Sequence, residues 1–220
     1  MPKVTTSAGD ELFYRDDCFA APWEKPAAIL LLHAEAETSL AWFGWVPRLA
    51  GRARVIRPDM RGFGRSVGMR PGQAWSLDRL ASDLVALLDG IGLDVVHVVA
   101  ARFAAPVALR LAAASPTRVA SLALCSAVPE PAVEYGPRAA RWVEEIERAG
   151  LDAWSVGAAQ ERLGSDADEA MLDGWSGLLA DTDRATLLGL LRSLPAFDAS
   201  ADLVNIACPT LVVATDASLA

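Results

Sequence analysis

Five residues at the end of an apolar run, Ala100-Ala101-Arg102-Phe103-Ala104, hold the side chain best placed to do chemistry. The surrounding stretch, Val95 to Val119, has the shape of a buried strand, a tight turn and a helix, so Arg102 falls on the turn. A guanidinium there stays protonated at any working pH and has no electron pair to offer a carbonyl. It can hold a carboxylate through two parallel hydrogen bonds, or stabilise an enolate in a decarboxylation or lyase reaction. The N-terminus of the following helix would add to that positive site. The plainer reading pairs Arg102 with Glu35 or with a carboxylate of the helical region further along the chain. Shifting the register by one brings in only Ala101 or Phe103, and no Ser, Cys or Asp lies between Asp94 and Ser115.

Other reactive groups are few. There are two histidines. His33 ends an early apolar strand and His97 lies mid-strand, and both read as structural. Asp216 stands in a turn after the last apolar run. The three cysteines are odd in number and widely spaced, which reads as reduced thiols rather than a disulfide or metal framework. No Gly-x-Gly-x-x-Gly follows a strand and no Cys/His cluster is present, so neither a cofactor nor a metal is expected.

The elements that would position these groups alternate. Strands are expected at 11–17, AAILLLH (27–33), RVIRPD (54–59), VVHVVA (95–100), VASLALCSA (119–127) and CPTLVVAT (208–215). A helical turn lies around Leu40–Leu49. Ser76 caps a helix on which Leu77, Leu80, Leu84, Leu87 and Leu88 recur at helical spacing until Gly90 and Gly92. Another helix covers 103–114. Strand and helix in alternation predict an α/β fold with a mostly parallel, twisted sheet flanked by helices. From about 130 to 200 the chain is helical, with breaks near Gly150, Gly164 and Pro195. That block reads as a helical lid inserted into a core of 1–129 and 201–220. Trp142, Trp154 and Trp175 fall in it and read as lid core.

A length of 220 residues with 53% hydrophobic content suits one sizeable core, and a net charge of -8 disfavours nucleic acid and anionic membrane surfaces as partners. The apolar runs are too short to cross a bilayer, and MPKVTTSAGDELFYRDD carries no signal-peptide pattern, so a cytoplasmic location is expected.

Four features in order, LLLHAEAETSLAWFGWVPRLA, RVIRPDMRGFGRS, the strand-turn-helix at 95–114, and CPTLVVATD, resemble the α/β-hydrolase family, its lid-bearing esterase, lactonase and dehalogenase-like group. The most specific is Asp59-Met60-Arg61-Gly62-Phe63-Gly64-Arg65-Ser66. The resemblance implies hydrolysis of small esters, lactones or amides, with a Gly-x-Ser-x-Gly turn whose serine position is here Arg102. It also implies an oxyanion hole at His33-Ala34-Glu35 and the Phe103 N–H, where Ala34 replaces a glycine that φ > 0 would require. The family's acid aligns near Asp216, and its histidine follows the last strand, beyond which this chain stops at Ala220. Three expectations result. The chain is a C-terminally truncated pseudoenzyme of the fold, or a non-covalent enzyme or small-carboxylate binder working through Arg102. A third possibility is a binding module that uses its lid and the uncovered 209–214 edge for self-association.

Overall fold

The computed structural model describes residues 2–6, 8–70, 73–127, 129 and 136–214. Its centre is a seven-stranded sheet: β1 Lys3–Thr5, β2 Glu11–Asp17, β3 Ala28–Leu32, β4 Arg54–Pro58, β5 Val96–Ala101, β6 Val119–Cys125 and β7 Thr210–Val213. The spatial order is β1-β2-β4-β3-β5-β6-β7. The first two strands are antiparallel to their neighbours, and β4 through β7 run parallel. The short β1, pairing Lys3 with Phe13, has no counterpart in the sequence-based expectation.

Side-chain alternation explains why the central strands are largely apolar. Leu30, Leu32, Val98 and Ala100 enter the main core with Leu80, Leu84 and Leu111. Leu31 and Val55 point to the other face, against Trp42, Ala50 and Leu49. A strand covered on both faces favours apolar side chains, and the polar His97 and Ser121 on β5 and β6 pair with each other. The main face carries α2 (Leu77–Gly90) and α3 (Ala104–Ala114). Ser76 caps α2 by accepting the Arg79 N–H at 3.2 Å. The expected single turn at 40–49 divides into a 3-10 turn, Ser39–Trp42, and α1, Val46–Leu49.

The Asp59–Ser66 loop is a clamp. One Asp59 oxygen accepts the Ser39 N–H at 2.7 Å and the other the Arg65 N–H at 2.9 Å, so one carboxylate ties two loops together. Gly64 has φ 55, and a Cβ there would lie 2.2 Å from Asp59 Oδ2. Arg61 is buried between Asp10, at 2.9 Å, and Asp83, at 2.6 Å. Ser66 Oγ donates to the Asp59 carbonyl and accepts the Phe13 N–H.

Among the described residues, four α-helices fill the block between β6 and β7: α4 Gly136–Ala149, α5 Leu151–Leu163, α6 Glu169–Ala180 and α7 Arg184–Ser193. The break between α6 and α7 was not foreseen from sequence; Asp183 makes it by capping α7, accepting the Thr186 N–H at 2.7 Å. Trp142 and Trp154 are buried edge to face, 5.5 Å between centroids. The outermost strand, β7, pairs only with β6 among the described residues, and Leu211, Val212 and Val213 are exposed. No helix among the described residues is long and apolar enough to cross a membrane.

Candidate functional site

Arg102 sits directly after β5 with φ 54, a left-handed conformation that an arginine adopts only when its surroundings hold it there. Its N–H donates to the Cys125 carbonyl at 2.9 Å, and its own carbonyl accepts the Ala105 N–H at 2.9 Å, so both sides of the turn are fixed. The small residues Ala100, Ala101, Ala104 and Ala105 let α3 approach β5 closely around this turn. No side chain caps the N-terminus of α3.

The Arg102 guanidinium turns to Glu35. Its Nε donates to Glu35 Oε1 at 2.8 Å and Nη2 lies 2.7 Å from the same oxygen. Arg162, at the end of α5, reaches the same carboxylate at 3.1 Å and the Glu35 carbonyl at 3.0 Å. Its Nε also faces Glu37 Oε1 at 3.3 Å. Two arginines and two glutamates thus form one buried cluster, with both guanidiniums over the Trp142 ring at 5.6 and 5.4 Å. The four charges are not equivalent. Burial pushes the Glu35 carboxyl up, but Arg102 and Arg162 outweigh it and hold the group below its ordinary value. Glu37 goes the other way, raised by burial and by Glu35 beyond what Arg162 offsets. Burial also lowers Arg162.

The loop after β3 is built differently from the expectation. Ala34 does not carry the positive φ; Ala36 does, at 60°. The Glu37 N–H donates to the Ala34 carbonyl at 3.3 Å, which closes a turn with Ala36 at its third position, the place where a positive φ belongs. One backbone donor of this loop is engaged by a carboxylate: the Ala34 N–H donates to Glu37 Oε2 at 3.1 Å. Where the resemblance implies donors open to a substrate oxyanion, the loop holds carboxylates of its own.

An open cavity of about 840 Å³ lies over this end of the sheet. Ala34 and Arg102 line it, together with Glu37 and Arg162. Glu35 and Phe103 do not reach it and line a much smaller pocket with Trp142. Phe103 packs inward on Phe63, 6.1 Å between centroids. His33 is not on the lining either. Its Nε2 accepts the Met60 N–H at 2.9 Å and its Nδ1 lies 2.8 Å from the Ala34 carbonyl, the arrangement of a neutral ring locked into two loops. Burial lowers its pKa accordingly. His97 Nδ1 meets Ser121 Oγ at 2.8 Å, within the sheet. Asp216 lies outside the described residues.

Several lining residues were not singled out from sequence: Arg138 and Arg141 on α4, Glu161 on α5, Trp42 and Trp45 after β3, and Ser126 with Cys125 after β6. Arg138 and Arg141 at i, i+3 on one helix face were the available signal. Trp175, expected in the lid core, is half-buried and lines the cavity. Cys125 is half-buried, and burial pushes its thiol up, away from the reactive thiolate. Among the described residues, no three His, Cys, Asp or Glu side chains are grouped to hold a metal ion.

With this geometry in hand, comparison with known proteins places the chain. Residues 27–148 match the family model described as alpha/beta hydrolase fold. Lipase LipV of Mycobacterium tuberculosis (strain ATCC 25618 / H37Rv) is 35% identical over 163 residues, covering 74% of this chain and 55% of the relative. Epoxide hydrolase B of the same strain is 35% identical over 102 residues, 46% of this chain and 29% of the relative. The matched part of the chain therefore spans about half or less of these relatives' length. The enol-lactonase from Burkholderia xenovorans LB400 superposes with a TM-score of 0.81 at 23% identity, over 97% of this chain and 80% of that one. At that identity the likeness is one of fold.

Proposed function

We propose, from the premise that the chain belongs to the alpha/beta hydrolase fold family, that it keeps the family's framework without serine-type acyl transfer, the turn after β5 carrying an arginine in place of a nucleophile. One observation carries this reading: Arg102 occupies that turn at φ 54 with its guanidinium on Glu35. Acyl transfer needs a lone pair delivered from the turn into the substrate carbonyl, and a general base beside it. A protonated guanidinium supplies neither. The pairing also argues against Arg102 as an enolate stabiliser, because a substrate anion would first have to displace Glu35 from it. The helical block between β6 and β7 acts in this reading as a cap over the sheet, tied to the core by Arg162 donating to Glu35 and by Thr182 donating to the Ala36 carbonyl.

The relatives are hydrolases by name, so the reading is testable in their own chemistry. A serine-directed organophosphonate, followed by intact mass and peptide mapping, is the direct test. The expected result is no stoichiometric adduct. A full adduct on Ser126, which lines the cavity, would overturn the reading and reassign the nucleophile to the end of β6.

A second reading has its own support. The cavity collects cationic side chains from three separate elements, the turn after β5, α4 and α5. That arrangement favours a small-molecule binding site for an anion over an empty relic.

A further inference from the structure

The lining of the large cavity departs from the rest of the molecule in charge. The chain carries a net charge of -8. The cavity is nevertheless lined by Arg102, Arg138, Arg141 and Arg162, with Glu37 and Glu161 the acidic residues among its lining. Among the described residues, and counting Glu35, which also touches Arg102 and Arg162, four arginines stand against three glutamates, an excess of one positive charge. A concave, partly apolar wall concentrates such a field and draws in anions.

Two of the four arginines are held in the buried cluster. Arg102 and Arg162 have side chains 17% and 5% exposed and are committed to Glu35. Arg141 is 58% exposed and meets Glu161, itself 42% exposed, in a pair that water and salt weaken. One turn earlier on α4, Arg138 lines the same wall. Side chains at i and i+3 lie about 5–6 Å apart on a helix, a spacing at which two guanidiniums can share one carboxylate. Aromatic side chains line the same cavity. Trp45 is 53% exposed and stacks edge to face on Trp42 at 6.0 Å, and Trp175 closes another side. An exposed tryptophan at the edge of a cavity is a large apolar surface that a ligand ring can cover.

We infer that the cavity binds an aromatic monocarboxylate, its carboxylate on Arg138 and Arg141 of α4 and its ring against Trp45 and Trp175. This rests on the second reading above, that the cavity is a ligand site. A single negative charge neutralises the excess that the cluster carries, whereas a phosphate dianion would overshoot it beside Glu37 and Glu161. The volume of about 840 Å³ accommodates a ligand of one or two rings.

The probe is phenylacetate, titrated against tryptophan fluorescence and by calorimetry, with phenylacetamide as its uncharged isostere. Phenylacetate is expected to saturate, with the amide weaker by roughly tenfold, the difference a charge-assisted bidentate contact makes. Acetate, which lacks the ring, is expected to bind at least tenfold more weakly than phenylacetate. Arg141→Ala sits on the surface, so folding is not at stake, and it should weaken phenylacetate by roughly tenfold while leaving the amide unchanged. Equal affinity for acid and amide would overturn the inference, as would no saturation by about 10 mM phenylacetate or an Arg141→Ala protein that binds as the parent does. The organophosphonate result is read separately. An adduct with intact phenylacetate binding would sink the non-hydrolytic reading alone, and flat titrations without an adduct would sink this inference alone.

Discussion

Arg61 and Arg102 are both arginines bound to acidic side chains at the same end of one sheet, and they do opposite things to their surroundings. Arg61 fills the space between Asp10 and Asp83, and the Asp59–Ser66 loop closes over it through Asp59, Gly64 and Ser66. The pocket beside it has a volume of about 10 Å³, which admits no ligand. Arg102 meets a carboxylate as well, but beyond it lies a cavity of about 840 Å³ that Arg102 itself lines. The identity of the pair does not set its role. What lies on the other side of the guanidinium does.

The contrast makes predictions in order of size. Arg61→Ala should cost the most, roughly 4 kcal/mol or outright failure to fold, because the buried Asp83 loses its ion-pair partner and the buried Asp10 keeps only the half-exposed Arg70. Arg102→Ala, partly open to the cavity, should cost clearly less in the same chemical-denaturation series. Equal losses would erase the distinction between clamp and cavity. Gly64→Ala should follow at about 2 kcal/mol, since it combines a left-handed backbone with a Cβ driven into Asp59.

Glu35→Gln tests the cavity side, with an expected loss of about 2 kcal/mol at neutral pH, below the usual figure for a broken buried pair because Arg102 is partly exposed. Its pH dependence fixes the sign. The Glu35 carboxyl is held below its ordinary value of 4.5, so its contribution is fully present above that value and disappears as the pH falls through the folded one. Parent and variant should therefore converge in denaturation midpoints as the solution is acidified; a gap that stays constant with pH would show that Glu35 is not held as a carboxylate. Arg141→Ala should change stability by no more than about 0.5 kcal/mol, as an exposed pair does. A larger loss would turn the α4 arginines from ligand groups into structural ones.

Much of the fold was legible in the chain. The mostly apolar runs expected as strands at 27–33 and 95–100 form β3 and β5, Ser76 marked the start of α2, and the Asp59–Ser66 motif marked a tight loop. The site was legible only at its centre. Arg102 on its turn and its pairing with Glu35 as one of two alternatives could be read from order and type, whereas Arg162, 127 residues from Glu35, could not. Local periodicity carries no information about which helix of the block faces which loop. Ala36, rather than Ala34, took the positive φ because the turn closes one hydrogen bond further along, from the Glu37 N–H to the Ala34 carbonyl. The Asp181–Asp183 break was missed because its cap is one short side chain without a glycine or proline beside it.

By itself, the sequence determined the alternation of strands and helices and the placing of an arginine on the turn after β5, since both depend on neighbours along the chain. Only the tertiary structure decided that Arg102 is spent on Glu35, that His33 is a locked core ring, and that four arginines from three elements line one cavity. Those outcomes depend on contacts between residues 27, 67 and 127 positions apart (Met60 with His33, Arg102 and Arg162 with Glu35), and burial and counter-charge at such contacts exist only once the sheet and the helical block have formed.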